Sequence, residues 1–364
     1  MRILMTTDNI GGVWTFSTDL AKGLKQMEVD VTLVITGNPL TASQREEIRG
    51  TPFYFAPFRQ EWMDEPWKDI ERAGKWLMEI AAQVRPHVVH LNSYSWGVLD
   101  WKCPVVMTVH SCVLSWWQGV RRSSAPECWN TYREKVARGM AAAAMLTAPS
   151  SSMLAAAEQF YGPFERRRII YNGRDPLCFP AGKKEKIVFS MGRLWDEAKN
   201  ISLLIRSARK ISYPVYVAGQ KGSIPDKIPS NVHFTGLLGH EGIARWLSKA
   251  AVYALPVRYE PFGYTFLEAA FSGCALIGGD VPTLREIWKD AMVYVDPDNP
   301  AALAESVTEL MEQGDKRAYL AKAARHRAAR YTRDAMVGAY RELYREVRLF
   351  GRAKINLGNR IDSE

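Results

Sequence analysis

The chain has 364 residues, 47% of them hydrophobic, and a net charge of +9, which is comfortable for two domains that each bury a core. Its longest apolar runs fall well short of the roughly 20 residues of a membrane-spanning helix, and it carries no helix-turn-helix, zinc-finger or RNA-recognition signature, so no nucleic-acid partner is expected. The positive charge points instead to phosphorylated metabolites or an anionic lipid surface.

The start, MRILMTTDNIGGVW, reads as a short strand broken at Asp8-Asn9, without the apolar region and cleavage site of a signal peptide. The expected location is the cytoplasm, with peripheral association at the inner face of a membrane left open. Five scattered cysteines, Cys103, Cys112, Cys128, Cys178 and Cys274, form no CxxC pair and no cluster with metal-ligand spacing. They read as reduced thiols filling core positions, and no metal site is expected.

In chain order, strand patterns fall at 2–7, 31–36, 86–91, 104–109 and 145–149, with helical patterns between most of them. Gly11-Gly12 follows the first strand and precedes an amphipathic helix. The turn suits a phosphate or sugar, or uses glycine for geometry alone; it is not GxGxxG and no Walker lysine follows. His90 in VVHL reads as buried within its strand. His110 ends strand 104–109, where its ring could donate to a hydroxyl or phosphate or serve the structure only. Trp14, Trp96, Trp116, Trp117 and Trp129 cluster in this half, suited to sugar stacking, a lipid interface or the core. The stretches 53–68 and 111–130 carry no readable signature, and Arg121-Arg122 and Arg166-Arg167-Arg168 read as solvated surface.

A break at 174–186, RDPLCFPAGKKEK, with two prolines, a glycine and a charge run, is the expected linker. Strand patterns resume at 186–191, 214–218, 231–234, 252–256, 275–278 and 292–295. This alternation predicts an α/β protein of two doubly wound, Rossmann-like domains facing a cleft, at 1–175 and 183–332, with ligands at the carboxyl ends of parallel strands. From about 315 the chain reads as helix. Met336, Tyr340, Leu343, Val347 and Phe350 make one apolar face that either domain could receive, so the last helix, about 333–364, could pack back on the first domain.

Two motifs follow second-half strands. In SMGRLWDEAKN, 190–200, Arg193 and Lys199 lie six apart around a loop that opens a helix at about Asn200; they could neutralise a diphosphate or be two surface cations. In YEPFGYTFLEAAFSG, Glu260-Pro261 is read as the helix start, with Pro261 at the first position. That places the amides of Phe262, Gly263, Tyr264 and Thr265 in the first turn, where an anion or sugar hydroxyl can bind. Glu260 at the mouth and Glu268 about two turns later suit a polyhydroxylated ligand; alternatively, Glu260 complements the helix dipole and Glu268 pairs with a basic residue.

The order of these features resembles the glycosyltransferase family 4 group of the GT-B fold: a GG loop, His110 after a first-half strand, GRLWDEAKN after the linker, then EPFGYTFLEA with its E-x7-E spacing. The likeness runs over nearly the whole chain, and its second half is the specific part. It implies a retaining, metal-independent transfer of a hexose-type sugar from a nucleotide-diphosphate sugar, needing no cofactor, to a glycan, lipid-linked or small-molecule acceptor. The C-terminal domain would take the donor and the N-terminal domain the acceptor. Arg193 and Lys199 match the residues that hold the diphosphate, Glu260 the carboxylate at the transferred sugar, and Glu268 the one at the ribose. The segment Phe262 to Thr265 matches the donor-binding amides, Gly12 the loop near the phosphates, and His110 a histidine near the transferred sugar. The text GCALIGGDVPTLREI departs from the family's usual pattern, with Gly278-Gly279 after the strand and Pro282 in the later turn. A nucleotide-sugar epimerase on the same fold and a non-catalytic nucleotide-sugar-binding subunit are the alternatives; a dehydrogenase is disfavoured, since no GxGxxG follows any strand.

Overall fold

The structure is a computed structural model that describes residues 1–220 and 227–361, with side chains described to 349. The chain divides into two units. The first comprises 1–115, 124–171 and the chain from Arg333; the second comprises 116–123 and 172–332.

The first unit is built on a wholly parallel sheet of seven strands: β1 (Arg2–Asp8), β2 (Asp30–Thr36), β3 (Phe53–Ala56), β4 (Val88–Leu91), β5 (Val105–Thr108), β6 (Met145–Ala148) and β7 (Arg167–Ile169). Their spatial order is β3-β2-β1-β4-β5-β6-β7, so the winding direction reverses between β1 and β4. Strands covered by helices on both faces need apolar residues at every position, not alternate ones. In β4, β5 and β6 each residue is buried.

The sequence patterns missed β3 and β7. Both are edge strands of three or four residues with no fully buried position. An edge strand in this environment carries little apolar signal, which is why FYFA read as loop and RRI as a surface charge run. Arg167 and Arg168 are tied down by ion pairs to Glu158 at 3.0 Å and Glu346 at 2.8 Å.

The long helix Arg333–Ile361 belongs to this first unit. Met336, Tyr340, Leu343 and Val347 on its apolar face are buried; the Phe350 side chain and residues 362–364 lie outside the described part. Tyr340 and Tyr344 carry hydroxyls into the core, which obliges partners there. Tyr344 meets His90 Nδ1 at 2.5 Å, His90 Nε2 meets Thr108 Oγ1 at 2.7 Å, and Thr108 and Tyr340 join at 3.1 Å. His90 is therefore a structural histidine, and burial, with a smaller contribution from His110, pushes its pKa down to about 3.

The second unit repeats the architecture with six parallel strands: β8 (Glu185–Met191), β9 (Val215–Ala218), β10 (Val232–Gly236), β11 (Ala250–Leu255), β12 (Ala275–Gly279) and β13 (Val293–Val295). The order β10-β9-β8-β11-β12-β13 reverses between β8 and β11. Tyr253 of β11 packs edge-on against Phe266, ring centroids 5.3 Å apart, in a core that also holds Phe189 and Trp288. Gly279, closing β12, lies so near the Val257 carbonyl that a Cβ would come within 1.9 Å of its oxygen. The glycine pair at 278–279 therefore brings the ends of β11 and β12 together.

Two assignments are corrected here. Cys128 and Cys178 are exposed rather than core residues, because each sits in a three-residue turn, Glu127–Trp129 and Pro176–Cys178. Cys112 and Cys274 are buried. The five tryptophans do not all belong to the first domain: Trp14 and Trp96 are core residues of the first unit, while Trp116 and Trp117 belong to the second.

Candidate active site

In a doubly wound sheet, the two loops leaving the strands on either side of the reversal diverge and leave a crevice between them. In the second unit these loops follow β8 and β11, and they carry the two motifs singled out in the sequence. The loop after β8 ends in a short 3-10 turn, Glu197–Lys199, begun by Asp196, whose carboxylate accepts from the Ala198 amide at 3.0 Å. Asn200 then takes a left-handed conformation, φ 53°, and starts the helix Ile201–Ala208. Its side-chain amide donates to the Pro256 carbonyl at 2.9 Å, and the Arg258 amide donates to the Ala198 carbonyl at 2.8 Å. These bonds fasten the loop after β8 to the loop after β11.

As a result Lys199 Nζ lies 2.7 Å from Glu260 Oε2, although the two are 61 residues apart in the chain. The side chains are 16% and 9% exposed. The other Glu260 oxygen accepts from the Phe262 amide at 3.4 Å. Arg193 grips Asp196 through Nη2 at 2.6 Å and Nε at 3.2 Å. Burial alone would raise the Asp196 pKa, but the Arg193 charge and hydrogen bonds, with Lys199 beside them, hold it below the usual carboxylate value. The two cations and Glu260 thus belong to one charged cluster at the reversal.

The helix that follows starts later than its sequence suggests. It runs Tyr264–Phe271, not from Pro261, because Gly263 adopts φ +98° and a left-handed residue cannot continue a right-handed helix. Phe266 and Leu267 both donate to the Gly263 carbonyl at 3.1 Å. Tyr264 and Thr265 therefore hold the first turn, and Phe262 and Gly263 form the approach to it. Glu268 stands one turn in, not two. It pairs with Arg174 at 2.9 Å, with both side chains under 10% exposed. Arg174 opens the stretch whose sequence reads as a linker. It is instead a buried member of the second unit, its amide bonded to the Tyr331 carbonyl and its guanidinium lying over the Phe179 ring. Nothing local marks it, since its partner is 94 residues away.

The segment 116–123 also belongs to this unit, though the chain on both sides of it belongs to the first. Trp116 reaches Asp196 at 3.5 Å, Arg121 pairs with Glu197 at 2.6 Å, and Arg122 pairs with Asp298. Arg121 and Arg122 are thus surface residues with specific partners.

In the first unit the reversal lies between β1 and β4. Gly11 and Gly12 open the helix Gly11–Gln26 directly after β1. Asn92 follows β4, and His110 comes two residues past the end of β5. His110 Nε2 lies 2.7 Å from Asn92 Oδ1, and the Phe16 ring packs edge-on at 4.6 Å. Burial pushes the His110 pKa down to about 3, so the ring is neutral near pH 7. Of the two ring nitrogens that could serve a ligand, Nε2 is engaged by Asn92. Sequence reading also missed Glu61. It is buried and accepts from the Tyr94 and Ser95 amides at 2.9 and 3.0 Å and from the Ser95 hydroxyl at 2.8 Å, which pins the turn after Asn92. Burial raises its pKa against those hydrogen bonds.

Two family models match the chain and together span most of it: Glycosyltransferase Family 4 over residues 10–176 and Glycosyl transferases group 1 over 179–327. The chain is a family 4 glycosyltransferase. Among curated proteins it is 23% identical to an uncharacterized glycosyltransferase of Methanocaldococcus jannaschii, over 85% of this chain and 88% of that one. It is 26% identical to a glycogen synthase of Mycobacterium tuberculosis, over 70% and 68%. Among solved structures, a sucrose-phosphate synthase of Thermosynechococcus elongatus aligns with TM-score 0.79 and 17% identity, over 95% of this chain and 99% of the other. The Anabaena protein HepE, in complex with UDP-glucose, aligns with TM-score 0.77 and 16% identity, over 95% and 100%. These neighbours share the GT-B fold, and the glycosyltransferase described here has no helix among its described residues that is long and apolar enough to cross a membrane.

Proposed function

We propose that the enzyme moves a hexose-type sugar from a nucleoside-diphosphate sugar to an acceptor hydroxyl, with retention of anomeric configuration and without a divalent metal. The observation that carries this reading is the Lys199–Glu260 contact at the mouth of the helix Tyr264–Phe271. A cation, a carboxylate and a helix N-terminus at one reversal point match the three demands of a sugar diphosphate. The diphosphate takes the ammonium and the positive helix end, and the sugar hydroxyls take the carboxylate. Glu268, held by Arg174, is the second acceptor, for the ribose. The segment Phe262 to Thr265 lines the approach.

On this reading catalysis is positioning and electrostatics. As the bond from the anomeric carbon to the phosphate oxygen breaks, positive charge grows on the ring and negative charge on the departing diphosphate. Lys199, Arg193 and the helix end stabilise the departing charge. The acceptor oxygen forms its bond to the anomeric carbon on the same face, and its proton passes to the leaving phosphate oxygen. In the first unit, which takes the acceptor, His110 contacts the transferred sugar and Gly12 lies in the loop for the phosphates. The acceptor is a glycan, a lipid-linked sugar or a small molecule. The net charge of +9 suits an anionic acceptor or peripheral binding to an anionic membrane face.

The test is a thermal-shift panel of UDP-, GDP- and ADP-sugars, followed by turnover of the stabilising donor with and without EDTA and NMR of the product's anomeric centre. Because HepE was solved with UDP-glucose, UDP-glucose is the first donor to try. No stabilisation by any sugar nucleotide, or a product with inverted configuration, defeats the reading.

A further inference from the structure

His110 cannot rotate its hydrogen-bonding role freely, because Asn92 has no freedom either. The Asn92 side-chain nitrogen lies 2.7 Å from the Thr6 carbonyl oxygen and 3.3 Å from Ser17 Oγ, and its backbone amide donates to Thr6 Oγ1 at 3.0 Å. A carbonyl oxygen only accepts, so the group facing it must be the NH2. A flipped amide would set two oxygens against each other at that distance. The Asn92 oxygen therefore faces His110, and an amide oxygen only accepts. The hydrogen must be on His110 Nε2.

We propose that Asn92, held by Thr6 and Ser17, is a positioning residue that keeps His110 in the Nε2–H tautomer. The imidazole then meets its ligand as a hydrogen-bond acceptor through Nδ1, and selects a hydroxyl rather than a phosphate oxygen. Nδ1 has no hydrogen-bond partner among the described residues and is not fully sealed from solvent. The neutral ring, with its pKa near 3, carries a lone pair there near pH 7. An ionised phosphate oxygen offers no hydrogen to that lone pair, whereas a hydroxyl does. Glu61 supports the arrangement at one remove, by fixing the turn at Tyr94 and Ser95 that follows Asn92.

The proposal rests on the reading that His110 touches the transferred sugar, and the two fail differently. In the wild-type protein labelled with 15N-histidine, long-range proton–nitrogen NMR should show His110 with a protonated Nε2 and an unprotonated Nδ1 at pH 7. The opposite tautomer overturns the proposal, and this measurement needs no variant. In Asn92→Ala the spectrum should become a mixture of tautomers and kcat should fall ten- to a hundredfold, with the donor KM changing less. Asn92→Asp keeps an acceptor on Nε2 and should restore that tautomer, while its charge draws the imidazole titration upward. If Asn92→Ala keeps the wild-type tautomer and turnover while His110→Ala loses activity, Asn92 has no positioning role. If His110→Ala itself turns over normally, the assignment of His110 to the sugar falls instead.

Discussion

Replacing Lys199 with alanine tests the centre of the proposed donor site. The Lys199 ammonium lies 2.7 Å from Glu260 and is the cation seated directly at the mouth of the helix Tyr264–Phe271. Two effects are expected, and they separate. The first is on rate. Loss of one preorganised donor to a developing anion costs roughly 10²–10³-fold in kcat, or about 2.7–4 kcal/mol of transition-state stabilisation. The second is on stability. Glu260 is only 9% exposed, and without Lys199 its one remaining hydrogen bond among the described residues is the 3.4 Å contact from the Phe262 amide. Stranding a buried charge costs up to about 3–5 kcal/mol, less where the carboxylate can take up a proton instead. The double variant Lys199→Ala/Glu260→Gln removes the stranded charge, so it should regain stability without regaining rate. The assays are steady-state turnover with the stabilising nucleotide sugar, thermal unfolding, and the thermal shift given by the nucleoside diphosphate alone. A folded Lys199→Ala enzyme with near-normal turnover would refute the reasoning. So would a double variant that recovers rate together with stability, since Lys199 would then serve the fold alone.

Three further outcomes are expected. Arg174→Leu should destabilise the protein by about 3–5 kcal/mol by leaving Glu268 buried without its counter-charge, and Arg174→Leu/Glu268→Leu should recover much of that in urea unfolding; additive losses would show that the pair is not coupled. Gly263→Ala forces a side chain into φ +98°, with its Cβ 3.0 Å from Phe266 Cδ2, and should lower stability by about 1–3 kcal/mol and weaken donor binding; an unchanged melting temperature would remove the need for glycine at the helix mouth. His90 titrates near 3 when folded against 6.5 in its ordinary state, so the unfolded chain binds the extra proton. The stability it contributes is complete above pH 6.5 and is lost as pH falls toward 3. Between pH 7 and 5 the loss is about 2 kcal/mol, and His90→Gln should reduce the pH slope of the unfolding free energy by about one proton; an unaltered slope would show that His90 is already charged in the fold.

What was legible in the amino-acid order is what depends on neighbours in the chain. Parallel strands buried on both faces need unbroken apolar runs, and these located β1, β2, β4, β5, β6 and all six strands of the second sheet. The loops after β8 and β11 were visible for the same reason: each interrupts an apolar run with cations, a carboxylate and a glycine. The E-x7-E spacing around Gly263 then pointed to the family.

Tertiary structure decided what depends on distant partners. Strand order placed the loops after β8 and β11 on the two sides of one reversal, and only then does Lys199 meet Glu260 across 61 residues. Edge strands β3 and β7 lacked a signal because a half-covered strand has no need of a buried run. Arg174 looked like linker because its carboxylate comes from a helix 94 residues later. The hydrogen on His110 is set by an asparagine 18 residues away, which is itself set by Thr6 and Ser17. A sequence records which groups are available, but the direction of a hydrogen bond is settled only when folding assigns each donor its acceptor.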